Sequence, residues 1–202
     1  MIKAKGFTLV EILVVIAIVA IMGTILAAIF VNTLKGSNKS QILAVIKQNG
    51  QAVLENMDKT IREADKVVCL DKNTLVVVKN GCYTRYKFMT PSETQNGQIQ
   101  EDYPQPDPST PCVQNSPAPT PSDIKTFTDN VCTDPMVNPS VLTDTNPQSG
   151  VSVNNGSFTP EPQPGFKNSV TVTFTLGPGV GAPAAITGQI DPVEFTTSIG
   201  LR

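Results

Sequence analysis

The chain contains no histidine and no tryptophan, and only 5% of its 202 residues are aromatic. Without histidine, the commonest general base, nucleophile activator and zinc ligand is missing, so neither a hydrolase triad nor a zinc site is expected. Charge is sparse too. Fifteen Lys and Arg face 17 Asp and Glu, a formal net charge of -2, and such a balance makes no strong basic field to attract nucleic acid. No proline precedes Pro91, so no ring interrupts a helix upstream of it. Gly177-Pro178-Gly179-Val180-Gly181 is glycine-rich, but no helix or lysine follows as phosphate binding requires. Asp123, Asp129 and Asp134 match no EF-hand spacing and read as solvated loop acids rather than calcium ligands. The expectation is a chain that holds no metal or cofactor and catalyses no reaction.

Four cysteines are present, Cys69, Cys82, Cys112 and Cys132, and none forms a C-x-x-C pair. Zinc or thioredoxin-like chemistry is therefore poorly supported, and in an exported domain disulfides are the better reading. Four cysteines allow three connectivities. The expectation is Cys69–Cys82 with Cys112–Cys132, each pair being close in sequence; buried free thiols are the alternative.

What is present in abundance lies at the N-terminus. Met1-Ile2-Lys3-Ala4-Lys5-Gly6 carries two lysines and no acid, Phe7-Thr8-Leu9-Val10-Glu11 follows, and from Ile12 to Val31 there are 20 residues without a charge. As a helix this run reaches about 30 Å, enough to cross the hydrocarbon core of a bilayer. The lysines ahead of it favour a cytoplasmic N-terminus and place everything after Val31 on the far side. A secretory signal would have a shorter apolar core and a small-residue cleavage site after it; Ala27-Ala28 is a poor one, because the apolar run continues past it. A plain anchor fits the length but leaves Glu11 unexplained, since a carboxylate at the head of a membrane helix is costly and usually functional.

Lys5-Gly6-Phe7-Thr8-Leu9-Val10-Glu11, followed by Ile12-Leu13-Val14-Val15-Ile16-Ala17-Ile18, closely resembles the class III signal of type IV prepilins and pseudopilins. The resemblance implies cleavage by a prepilin peptidase between Gly6 and Phe7, N-methylation of Phe7, and a role for Glu11 in assembly. Loss of Lys3 and Lys5 with the leader would take the basic side chains from 15 to 13, against 17 acids. Implied partners are other pilin or pseudopilin subunits, the peptidase, an inner-membrane assembly platform and membrane lipid. Nucleic acid is not expected as a partner. Implied localisation is a single pass through the inner membrane with the C-terminal domain outside the cytoplasm, then a surface filament. The chain departs from the pattern in one respect: where many major pilins carry a helix-kinking proline, it has Ala28, which suits a minor pilin or pseudopilin better.

Beyond the membrane run, the expected fold class is α+β and pilin-like: a long N-terminal helix packed on an antiparallel sheet, with a long Pro-rich loop. The expected segments are a leader (1–6), a transmembrane or filament-core helix (7–31), an amphipathic continuation (32–65), a β-meander (66–89), a Pro-rich loop (90–140) and C-terminal antiparallel strands (141–202). Ile42, Val45, Ile46, Val53, Met57, Ile61 and Ala64 recur at helical spacing and make one apolar stripe, the pattern of core packing. Gly36, Ser37 and Asn38 mark the expected exit from the membrane. Asn80-Gly81 is a strong hairpin signal between two β-rich runs. From Pro104 to Pro164 lie 13 of the 17 prolines, and regular structure is not expected over much of that stretch. Lys66, Lys72, Lys79, Arg85 and Lys87, with Tyr83 and Tyr86, could gather as a basic and aromatic cluster; a solvated sheet face is the plainer reading.

Leu54 to Ala64, then short strands, then Phe195-Thr196-Thr197 to Leu201-Arg202, also looks like the J-type pseudopilins and W-type minor pilins, by pattern rather than by a diagnostic motif. Three readings stay open: a minor pilin of a type IV pilus, a pseudopilin of a type II secretion system, and a membrane-anchored extracytoplasmic protein that never polymerises.

Overall fold

The computed structural model describes residues 8–105, 130–161, 169–183, 188 and 190–201. One long helix and eight strands follow one another: α1 (Leu9–Arg62), β1 (Lys66–Asp71), β2 (Thr74–Lys79), β3 (Cys82–Met89), β4 (Gln98–Asp102), β5 (Ser140–Val141), β6 (Val151–Glu161), β7 (Ser169–Pro178) and β8 (Val193–Gly200). The layout is α+β with antiparallel sheets throughout, as expected for a pilin-like chain. The residues divide into two compact units, Met1–Gln41 and Ile42–Arg202. In the first, every described residue from Leu9 onward is helical.

In the second unit the strands form two sheets rather than one. Strands β1 to β5 pair in sequence order, and β6, β7 and β8 make a separate three-stranded sheet. The Asn80-Gly81 turn forms as expected: both residues have positive φ, 50° and 80°, the conformation that a two-residue hairpin requires and that Asn and Gly tolerate best. Lys79 and Cys82 face each other across it.

A single core joins the helix to both sheets. Ile46, Val53, Met57 and Ile61 of α1 are at most 1% exposed, and pack in one cluster with Leu75, Tyr86 and Ile99 of the larger sheet and Phe158, Val172, Phe174 and Ile199 of the smaller. The apolar stripe read from the sequence is thus the buried face. One member escaped it: Gly50 is buried because the ring of Phe195 occupies the place a Cβ would take. Rings of Phe88 and Phe158 lie 4.6 Å apart, and those of Phe174 and Phe195 stack at 5.3 Å. At the end of the helix, Asp65 N donates to Val78 O and the Asp65 carboxylate accepts from Asn80 N, fixing the helix terminus against the hairpin.

Strand β2 is buried from Thr74 to Val78 without a break, because the larger sheet is covered on both faces. Leu75 and Val77 face the main core, whereas Val76 and Val78 join Tyr83 and Val131 in a second cluster on the opposite side. The Val-Val-Val run records that two-sided burial.

Of the segment 90–140, the described residues 90–105 and 130–140 hold more order than the composition promises. Strand β4 pairs with β3, and Ser140–Val141 pairs with β4, so polar Gln98-Ile99-Gln100-Glu101-Asp102 is a strand whose acids are buried. The edge offered by β3, rather than any apolar alternation, fixes it. Strand β6 runs for 11 residues, Val151–Glu161. It absorbs Asn154-Asn155-Gly156 through an irregularity between Val153 and Asn155, which lets one extra residue enter a ladder without ending it.

Candidate functional site

Among the described residues, the apolar run at the head of α1 has no packing partner. Every large hydrophobic side chain from Leu9 to Leu34 is between 47% and 78% exposed. Among the described residues α1 is the one helix long and apolar enough to cross a membrane. An apolar surface of this extent marks contact with lipid or with other apolar chains. Its two hydroxyl side chains are already satisfied within the helix, Thr24 Oγ1 donating to Ile21 O at 2.8 Å and Thr33 Oγ1 to Ile29 O at 2.9 Å. Such internal pairing is what a segment in hydrocarbon requires.

Glu11 is exposed in the first turn of that helix. Its backbone N donates to Thr8 O at 3.1 Å and to Thr8 Oγ1 at 3.3 Å. Thr8 therefore caps the helix, and Glu11 stands three residues on, where an acid favours the positive end of the helix dipole. This Thr-x-x-Glu box was readable in the sequence but was overshadowed by the longer motif around it. Gly6 and Phe7, the expected cleavage and methylation residues, lie outside the described residues.

The cysteines pair differently from the expectation. Cys69 is bonded to Cys132, with Cα atoms 6.2 Å apart. Cys82 is also disulfide-bonded, and Cys112 lies outside the described residues. Both expected pairs are thereby excluded, since Cys69 and Cys132 take each other. Sheet geometry explains the error. Strand β2 lies between β1 and β3, which puts Cys69 and Cys82 two strand spacings apart, roughly 10 Å. Cys69 also stands opposite Val76 while Cys82 stands opposite Lys79, a further offset of three residues along the strand, whereas a disulfide tolerates at most about 7 Å between Cα atoms. The observed bond closes a separation of 63 residues, for which chain-entropy arguments give about 4 kcal/mol. Cys69→Ser is expected to lower the unfolding free energy by about 2–4 kcal/mol, read from urea midpoints of both proteins under non-reducing conditions.

A second constraint, missed by the sequence reading, holds the same segment. Arg85, 1% exposed, forms a two-pronged ion pair with Asp102, its Nε reaching Oδ1 at 2.8 Å. Its remaining protons go to the carbonyls of Val131, Asp134 and Pro135, while Asp102 Oδ2 accepts from Val137 N. Residues 131–137 are thus clamped over the outer face of the larger sheet by one buried arginine and one disulfide. Arg85 and Asp102 face each other in the β3–β4 register, but nothing in their spacing announced it.

The same burial dissolves the basic and aromatic cluster considered from sequence. Arg85, Tyr83 and Tyr86 are all buried. The Tyr86 hydroxyl donates to Asn56 Oδ1 at 2.9 Å, and burial, reinforced by nearby Glu101, pushes its phenol far above the ordinary range. Of the loop acids, Asp134 is exposed, while Asp123 and Asp129 lie outside the described residues. No grouping of three or more His, Cys, Asp or Glu side chains suited to a metal ion occurs among the described residues.

These features define a class before any comparison: a disulfide-bonded α+β domain that follows an apolar helix fit for a membrane. Residues 1–27 match the family described as the prokaryotic N-terminal methylation motif. The chain thus carries the class III prepilin signal, consistent with a protein of the type IV pilin or pseudopilin kind. No curated protein matches the chain, and no solved structure matches it.

Proposed function

We propose that the protein is a structural subunit, a minor pilin of a type IV pilus or related filament, assembled through α1 after a prepilin peptidase cuts between Gly6 and Phe7. The observation that carries this reading is the conjunction of the methylation motif at residues 1–27 with an apolar helix that none of the described residues covers. A plain anchor needs the second feature and has no use for the first. In the bilayer the subunit waits as a single-pass protein. In the filament its apolar helix packs against the helices of its neighbours, and the domain from Ile42 onward lies outside.

Glu11 gives the transfer its direction. A charged residue at the centre of a membrane helix costs about 2.5–3.5 kcal/mol, the upper bound for Glu11 in the first turn, whereas a favourable place at a helix N-terminus returns about 0.3–1 kcal/mol. At that bound the Thr8 box leaves most of the cost unmet. The N-terminal amine of an adjacent subunit, exposed by cleavage ahead of Phe7, offers the missing partner. That pair favours docking over dispersal in lipid and fixes the axial register. Prepilin peptidase, sister subunits and an inner-membrane platform are the partners this reading requires.

Straight passage of α1 past Ala28, with no proline, favours a minor subunit over an abundant one. A pseudopilin of a type II secretion system would use the same helix and is the second reading. Filaments sheared from cells separate these. The subunit is expected in the sheared surface fraction together with the major pilin, as detected by immunoblot. Confinement to the membrane fraction while surface filaments are abundant would rule the pilus assignment out.

A further inference from the structure

Away from the helix head lies a cavity that the filament reading does not use. It lies where the β1–β2 turn meets both sheets. Phe88 N of the larger sheet donates to Asn73 O, and Phe158 N of the smaller donates to Lys72 O, both at 2.9 Å. The two-residue turn is thereby wedged between the sheets, and a cavity of about 150 Å³ opens beside it.

Its lining is chemically one-sided. Exposed Lys72, Asn73, Thr90, Asn154 and Asn155 line it, and no acidic residue takes part; the Asn154 amide packs over Gly177, which leaves an ammonium, two amides and a hydroxyl to meet a ligand. None of these five side chains makes a hydrogen bond or ion pair among the described residues. Phe88 lies at its base with its ring turned to the core, 6% exposed and packed over Gly156, where an added Cβ would meet it. The irregularity of β6 between Val153 and Asn155 delivers Asn154 and Asn155 together to the same rim, as bulges do where a strand must re-aim its side chains.

Size and polarity select the ligand. Pockets for cofactors and drug-sized molecules run from about 300 Å³ upward, twice what is available. At about 30 Å³ per water, the cavity holds about five waters, the room of one small ring. Amides that both donate and accept, with a hydroxyl, match a polyhydroxylated ring, and the lone cation matches one carboxylate. We propose that this cavity binds a single acidic sugar unit, a uronate or similar hydroxylated monocarboxylate, with Lys72 holding the carboxylate and the asparagines the ring hydroxyls. A terminal acidic sugar of a glycan and the free monosaccharide share this chemistry.

The test uses the full chain in lipid nanodiscs, which avoids sugar-based detergents, and saturation-transfer NMR. Probes are methyl β-glucuronide, methyl β-glucoside, acetate, and a short polyglucuronate. The glucuronide is expected to bind saturably. The glucoside is expected to bind about tenfold more weakly, the ratio that one charge-assisted hydrogen bond supports, and acetate not detectably. Lys72→Gln leaves the backbone carbonyl that accepts from Phe158 N in place, and should reduce glucuronide binding to the level of the glucoside. Asn155→Ala should weaken both sugars alike. Polyglucuronate binding better per chain than the monosaccharide points to a glycan as the source, and equal binding points to the free sugar; either supports the site. No saturable glucuronide signal, acetate binding as well as the glucuronide (an adventitious anion only), or an unchanged affinity in Lys72→Gln would each overturn it. Because the readout is a dispersed subunit, the outcome is independent of whether the chain enters a filament.

Discussion

Asp102→Ala is expected to destabilise the domain by about 3–5 kcal/mol, the usual loss when one partner of a buried ion pair is removed. Arg85 is 1% exposed and would keep its charge, with only the carbonyls of Val131, Asp134 and Pro135 as partners. Three carbonyl dipoles do not replace a carboxylate. The substitution also strips Val137 N of its acceptor. Residues 131–137 would lose their polar clamp and remain tied by the Cys69–Cys132 bond alone. In a domain of this size each kcal/mol shifts the melting temperature by about 2–4 °C, so a fall of roughly 6–20 °C is expected by calorimetry. Arg85→Met should cost a comparable amount, since Asp102 is then the orphan. The double substitution Arg85→Met, Asp102→Leu should cost clearly less than the sum, because both charges go together. Strict additivity of the two losses would mean that the pair does not act as a unit.

Glu11→Ala is expected to reduce incorporation into filaments by up to about a hundredfold while leaving the melting temperature of the domain unchanged. The factor follows from the roughly 2.5–3.5 kcal/mol cost of an unpaired charge at the centre of a membrane helix, the upper bound for the first turn, taken at about 1.4 kcal/mol per tenfold. The helix cap allows a sharper version. A capping box accepts Gln as well as Glu at its third position, so Glu11→Gln keeps the cap and discards the charge. Thr8→Val does the reverse: it removes the oxygen that accepts from Glu11 N and keeps the carboxylate. Charge pairing between subunits predicts that Glu11→Gln fails like Glu11→Ala, and that Thr8→Val assembles close to normally. A purely local cap predicts the opposite order. Quantitative immunoblots of sheared filaments against the membrane pool distinguish the two.

The elements that could be read from the chain are those whose information is local. The apolar stripe from Ile42 to Ile61 and the Asn80-Gly81 turn each reflect the pattern of one element, and each is found in its element, although the helix ends at Arg62, short of Ala64. What stayed hidden depends on partners far away in sequence. Arg85 read as an exposed cation because its partner, Asp102, lies across a strand pair, and its acceptors lie 46 to 50 residues downstream. Strand β4 carries Gln, Glu and Asp and has no apolar alternation to reveal it. The cysteine pairing is a different kind of miss. The meander that was correctly expected already interposes β2 between Cys69 and Cys82, so the excluded pairing followed from a fold in hand and needed only strand spacing to see it. Proximity along the chain misled because neighbours in a meander alternate sides and drift in register.

The helix head stands apart from these. Its signal is a motif, not a packing pattern, and no contact within the second unit depends on it. The residues that give the motif its meaning, Gly6 and Phe7, also lie outside the described residues, so chemistry at that bond must be measured.

Mass spectrometry of the protein isolated from the membranes of its own cells measures it most directly. The expected result is a chain that begins at Phe7, lacks Met1 to Gly6 and is heavier by one methyl group on its terminal amine. An intact leader, or a terminus generated near Ala28, would contradict the account.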